Sequence, residues 1–263
     1  MKTLRTFAAI LVVTAAAIAC KSQYELLLSG NDSEAKYEAA FDYFNAGKYQ
    51  KAAQLFESLS IITNGTSRDD TVQYYRGLSN YRNKDYYTAE TNFERFLEQY
   101  PRSPFADEAE FLRIDCLYRS TLRYELDQTP TYNAINAIGE YLASHPGSEY
   151  KSTCYSMMDE LDGRLDRKAF ENARLYYRME DYKAARVALR NVLKDDADNR
   201  YREDILYYTA MASYKFASLS VPSKQKDRFL VFYDDYYNFI GEYPESARRK
   251  ELDALFKRTK EKY

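Results

Sequence analysis

The segment Gly47-Lys48-Tyr49-Gln50-Lys51-Ala52-Ala53-Gln54-Leu55-Phe56 decides how this chain is read. Glycine tolerates the left-handed backbone that ends a helix, so Gly47 marks a turn. An aromatic residue, Tyr49, follows at once. Ala52 is small enough for a second helix to approach closely, and Phe56, four residues later, lies on the same helical face. The stretch predicts the turn of an antiparallel helical hairpin and the start of its second helix.

The register recurs downstream. Tyr86, Ala89, Phe93, Phe96 and Pro101 form a second copy; Ala134, Ile138, Tyr141 and Pro146 a third; Tyr182, Ala185, Leu189, Val192 and Ala197 a fourth. Tyr236, Phe239 and Pro244 mark a weaker fifth. Three copies stop at Tyr100-Pro101, His145-Pro146 or Tyr243-Pro244, because proline lacks the N–H and pushes the preceding residue out of the α region. Upstream of each turn lies a pair of aromatic residues seven apart: Tyr37/Phe44, Tyr74/Tyr81, Phe111/Tyr118, Phe170/Tyr177 and Tyr207/Tyr214. Three of the four steps between pairs are 37 residues; the other, 59, contains an insertion, Thr121 to Thr131. The only histidine, His145, stands where Tyr100 and Tyr243 stand in sister copies, which predicts ring packing rather than proton transfer.

These copies resemble tetratricopeptide repeats, whose hairpins bury their apolar faces only against the next hairpin. The expected fold is all-α: a tetratricopeptide-repeat superhelix of about five helix-turn-helix repeats, with Leu252, Leu255 and Phe256 on a C-terminal capping helix. The fifth repeat carries a longer loop, Ser218 to Asp227. The ring pairs then have two readings. They fill the seams between helices, or they line the concave side as an aromatic groove for extended peptides.

Composition agrees. The 263 residues include only 8 Gly and 6 Pro, too few for an architecture rich in tight turns, but 28 Tyr and 14 Phe. One His and no Trp exclude most His-based catalytic and metal sites and a Trp-lined glycan platform. Lys and Arg total 38 against 40 Asp and Glu, interspersed along the chain, so no nucleic-acid partner is expected. No phosphate loop, metal-ligand spacing or serine elbow is present, and no catalytic residue is assigned. Asp69, Asp70, Asp195 and Asp196 sit at helix ends, where capping explains them.

Residues 1–19 read as a signal peptide, with Lys2 and Arg5 ahead of an uncharged run, Phe7 to Ala19, too short to span a bilayer permanently. Ala17-Ile18-Ala19-Cys20 resembles a bacterial lipobox, which would make Cys20 the lipid attachment site. The alternative is an ordinary cleavable signal. Residues 20–33 then hold the lipidated Cys and a linker. Cys116 and Cys154 remain, either as a disulfide or as separate buried thiols.

Some stretches go beyond the repeat. Tyr100-Pro101-Arg102-Ser103-Pro104-Phe105-Ala106-Asp107-Glu108-Ala109, Glu125-Leu126-Asp127-Gln128-Thr129, His145-Pro146-Gly147-Ser148-Glu149-Tyr150 and Leu165-Asp166-Arg167-Lys168 resemble the BamD family, the lipoprotein subunit of the outer-membrane β-barrel assembly machine. The resemblance runs from about residue 33 to 250. It implies a non-enzymatic protein of the periplasmic face of the outer membrane, held by a covalent lipid on Cys20 and needing no cofactor. Residues 34–150 would be a client-binding half, with Tyr37, Phe44, Tyr74, Tyr81, Phe111 and Tyr118 receiving unfolded outer-membrane proteins. Residues 151–263 would hold the barrel insertase through its POTRA domains, with Arg186, Arg190 and Arg202 as interface candidates. Other assembly-complex lipoproteins are further expected partners. The alternative is another exported tetratricopeptide adaptor that organises envelope complexes.

Overall fold

A computed structural model describes residues 23–261; Cys20 and the signal peptide lie outside them. The described residues form twelve α-helices and no strand: α1 Gln23–Ser29, α2 Ser33–Asn45, α3 Tyr49–Ile62, α4 Asp69–Arg82, α5 Tyr86–Gln99, α6 Ala106–Arg119, α7 Thr129–Ser144, α8 Lys151–Arg178, α9 Tyr182–Asp195, α10 Arg202–Ser218, α11 Pro222–Glu242 and α12 Arg249–Lys260. The pairs α2/α3, α4/α5, α6/α7, α8/α9 and α10/α11 are the five repeats, and α12 packs on the last of them. This is the tetratricopeptide-like all-helical class expected from the sequence. The chain divides into two compact units. One holds residues up to Thr121 with Pro130–Tyr150; the other holds Leu122–Thr129 and Lys151–Tyr263.

Local chemistry sets the hairpins. In three turns one residue takes a left-handed φ: Gly47 at 71°, Lys84 at 64° and Glu180 at 63°. Asp85 and Asp181 then cap the second helix by accepting from Thr88 N (3.2 Å) and Ala184 N (3.0 Å). All five second helices close in one way, with the amide of Thr63, Tyr100, His145, Asp196 or Tyr243 donating four residues back at 2.7–2.9 Å. Thr63 and Asp196 do so without a following proline.

The alanines of the repeat, Ala52, Ala89, Ala134 and Ala185, are fully buried. A Cβ added at Gly77 would lie 2.9 Å from Phe93 Cε1, so the two helices of that hairpin meet at van der Waals limits. Phe56, Phe93 and Phe96 fill the first unit, and Phe170, Phe232 and Phe239 the second, each adding about 1.5–3 kcal/mol through burial.

Three stretches differ from the sequence reading. Gln23–Ser29, inside the stretch read as linker, is a helix; its Tyr24 hydroxyl donates to Gln54 Oε1 (2.7 Å), and Leu27 and Leu28 pack on the first core. Part of the extra length before Phe170 is α8 itself, a 28-residue helix, rather than loop. In the fifth repeat the loop expected over Ser218 to Asp227 shrinks to Leu219–Val221. Pro222 starts α11 with its φ already set, and Gln225 satisfies the carbonyls of Ser218 (3.2 Å) and Ser220 (3.0 Å).

Cys116 and Cys154 are free and buried. Burial, with Asp115 alongside, pushes the Cys116 thiol up to about 12, which leaves it unreactive. His145 stacks on Tyr141 (centroids 4.7 Å), the packing role its register predicts.

Candidate functional site

The first ring of each pair is covered by the chain that leads out of its own hairpin. In every repeat a flat side chain that opens the following first helix lies over the first ring of the pair. Arg68 covers Tyr37 (4.7 Å), Phe105 stacks on Tyr74 (4.4 Å, 8°), Tyr150 on Phe111 (3.9 Å, 6°) and Tyr201 on Phe170 (5.1 Å, 10°), while Arg248 covers Tyr207 (4.7 Å). Two residues before each cover is a Thr, Ser or Asn whose side-chain oxygen accepts the cover's own amide. The distances are 3.4 Å for Thr66 and Arg68, 3.4 Å for Ser103 and Phe105, and 3.0 Å for Ser148 and Tyr150. Asn199 and Tyr201 follow at 3.0 Å, and Ser246 and Arg248 at 3.1 Å. This local turn aims the flat group back at the previous repeat. Sequence reasoning missed the five covers; their signal was the recurring Ser/Thr/Asn-x-(aromatic or Arg) ahead of each first helix.

The second ring of the pair is tied as well. Tyr81 donates to Asp115 (2.5 Å), which also binds Arg119, and Tyr214 accepts from Arg258. Phe44 and Tyr177 meet Tyr75 (5.2 Å) and Tyr208 (5.2 Å) edge-on. Among the first rings, Tyr207 donates to Glu251 (2.7 Å), while burial with Glu108 nearby pushes the Tyr74 phenol well above its usual range.

Six positions were expected to receive peptide. Tyr37, Phe44, Tyr81, Phe111 and Tyr118 are half-buried. The expectation is corrected at Tyr74. It is 2% exposed, sealed under Phe105 and against Phe93 and Phe96, so it belongs to the seam.

The three arginines also separate. Arg186 makes a bidentate pair with Asp235 (2.6 and 3.0 Å), a carboxylate that is itself buried and also binds Ser213. Arg202 pairs with Glu242 (2.6 and 2.8 Å) and donates to the Ala197 carbonyl (2.6 Å). Both of these interface candidates have their charge paired inside the second unit. Arg190 is exposed, has no ion-pair partner among the described residues, and borders a shallow hollow with Lys194, Leu206, Thr209, Asp235 and Asn238.

The insertion is held down by cations of α8. Arg164 donates to the Leu122 carbonyl (2.9 Å), Lys168 to those of Tyr124 (3.1 Å) and Leu126 (2.6 Å), and Arg167 lies over the Tyr124 ring (4.2 Å).

Burial and an accepting carboxylate push the phenols of Tyr81, Tyr100 and Tyr236 up to about 12. Burial and the neighbouring Tyr182 do the same to Tyr177. The ordinary value is 10.0, so the fold favours the neutral phenol. That contribution is complete below pH 10 and is lost as pH rises toward 12. Thermal unfolding followed by circular dichroism is expected to give a flat Tm up to about pH 9 and a steep fall above 10, with Tyr81→Phe reducing the steepness.

No described helix is long and apolar enough to cross a membrane, and no group of His, Cys, Asp or Glu among the described residues could hold a metal ion. What the described residues offer is a run of helical hairpins, which defines the class as a helical-repeat scaffold.

Residues 30–230 match the YfiO family model, described as an outer membrane lipoprotein, and the chain belongs to that family. It is also 22% identical over 240 residues to the outer membrane protein assembly factor BamD of Caulobacter vibrioides, a similarity that covers 90% of this chain and 76% of that protein.

Proposed function

We propose that this chain is a non-enzymatic, lipid-anchored component of the machinery that assembles outer-membrane β-barrels. The first unit binds unfolded barrel proteins, and the second holds the barrel insertase through its POTRA domains. The observation that carries the reading is membership of an outer membrane lipoprotein family together with similarity, over most of both chains, to a relative named an assembly factor.

The incomplete burial of Tyr37, Phe44, Tyr81, Phe111 and Tyr118 supports the client half. A nascent barrel strand alternates apolar and polar residues, and flat rings take its apolar side chains without demanding one sequence. Ordering a disordered strand is costly, so capture is weak enough to permit handover. On the insertase side, Arg190 is the candidate arginine that is exposed and has no ion-pair partner among the described residues, which suits it to meet an external carboxylate. The reading needs no cofactor beyond the lipid on Cys20 and no nucleic acid, and it includes contact with other assembly-complex lipoproteins.

A photo-crosslinker placed in cells at Tyr81 is expected to trap unfolded barrel proteins, and one at Arg190 the insertase. Capture of unrelated envelope complexes at both positions would replace the proposal with a different exported adaptor. Cys20→Ala is expected to leave a folded, soluble periplasmic protein with an unchanged Tm. Membrane association of that variant surviving a high-salt wash would contradict the lipid anchor.

A further inference from the structure

The fifth hairpin is longer than its sisters. Aligning its closing pair Phe239–Tyr243 (6.0 Å) with Phe96–Tyr100 (5.7 Å) leaves Pro222 to Arg228 as about two additional helical turns at the start of α11. These turns carry a tip with two bare aliphatic residues, Leu219 at 74% and Val221 at 62% exposed. The tip is built firmly: Arg228 lies over Phe216 (4.2 Å) and binds the Ser220 hydroxyl, and Gln225 ties two tip carbonyls.

Its charge is one-sided. From Ile205 to Lys226 the chain has no Asp or Glu, but has Lys215, Lys224 and Lys226. Lys224 and Lys226 have no ion-pair partner among the described residues. They also stand in the opening turns of α11, where the helix dipole disfavours a cation. The bond between Arg258 and Tyr214 brings the C-terminal end of α12, with Arg258 and Lys260, beside the same end of α10; Asp227 and Glu261 are the acids in these segments.

We propose that this tip docks on an anionic phospholipid surface, with Leu219 and Val221 entering the headgroup layer and the lysines meeting lipid phosphates. Protein interfaces are depleted in Lys and rely on aromatic or Arg anchors in pockets, whereas a protruding aliphatic pair rimmed by lysines suits a fluid, negatively charged layer. The contact is separate from the barrel-assembly reading and does not depend on it.

The test uses the full chain carrying Cys20→Ala, so that no acyl chain contributes, and vesicles of phosphatidylethanolamine with phosphatidylglycerol. Co-sedimentation is expected at low salt and is lost at high salt. Leu219→Ser with Val221→Ser, and separately Lys224→Glu with Lys226→Glu, are each expected to cut the bound fraction by roughly fivefold or more with an unchanged circular-dichroism melt. Absence of binding by the parent, equal binding to neutral phosphatidylcholine vesicles, or unchanged binding in both variants would overturn the proposal. So would variants that keep vesicle binding but lose capture of a protein partner.

Discussion

Replacing Tyr74 by alanine is expected to lower the unfolding free energy of the first unit by about 3–5 kcal/mol, the range of other buried aromatic truncations. The ring is 2% exposed, stacks on Phe105 at 4.4 Å and touches Phe93 and Phe96, so its loss opens a cavity where two hairpins meet. Because the chain has two compact units, the unfolding is best followed unit by unit, through hydrogen exchange of amides in α4 and α5 against those in α10 and α11. Tyr74→Phe keeps the stack and is expected to cost about 1 kcal/mol or less. Phe105→Ala is expected to behave like Tyr74→Ala. A Tyr74→Ala protein with a near-normal melt and lost affinity for a terminal-strand peptide would instead make the ring a ligand contact and refute the seam.

The second large effect is expected at Asp235. Its buried carboxylate is paired by Arg186 and Ser213, and Asp235→Ala strands the guanidinium in a largely dry site, at a cost of about 3–5 kcal/mol. Arg186→Ala strands the carboxylate and is expected to cost as much. Replacing both together, Arg186→Met with Asp235→Leu, is expected to fall near neutral, because a buried ion pair is worth little against well-packed apolar groups. Urea denaturation of these variants gives the losses, and the Arg186→Ala/Asp235→Ala double variant completes the cycle that measures the coupling. Arg190→Ala is expected to leave stability within about 0.5 kcal/mol and to weaken insertase capture. Equal stability losses at Arg186 and Arg190 would sink the distinction between them.

The hairpins were legible because their signals are local. Gly47, the alanines at 52, 89, 134 and 185, and the aromatic-Pro stops each act through backbone geometry or the volume allowed where helices cross. The seven-residue spacing showed that each pair of rings shares a face. It did not show whether that face meets solvent or the next hairpin, because helical periodicity is the same in both cases. The loop expected over Ser218 to Asp227 failed for a related reason. Its polar residues read as a connection, yet they form helix once Pro222 starts it and Gln225 and Arg228 close the turn.

The three arginines show the same limit more sharply. Arg186, Arg190 and Arg202 look alike in sequence, but their partners, Asp235 and Glu242, lie 49 and 40 residues away. The sequence by itself determined the helical class, the repeat, the register of the rings and the family likeness, since all of these rest on spacing within one or two turns of helix. Only the tertiary structure decided that Tyr74 is sealed while Tyr81 is half-buried, that Arg190 alone of the three candidate arginines has no ion-pair partner among the described residues, and that the fifth hairpin carries a bare tip. Burial and ion pairing are set by neighbours a whole repeat away, and no local spacing encodes them.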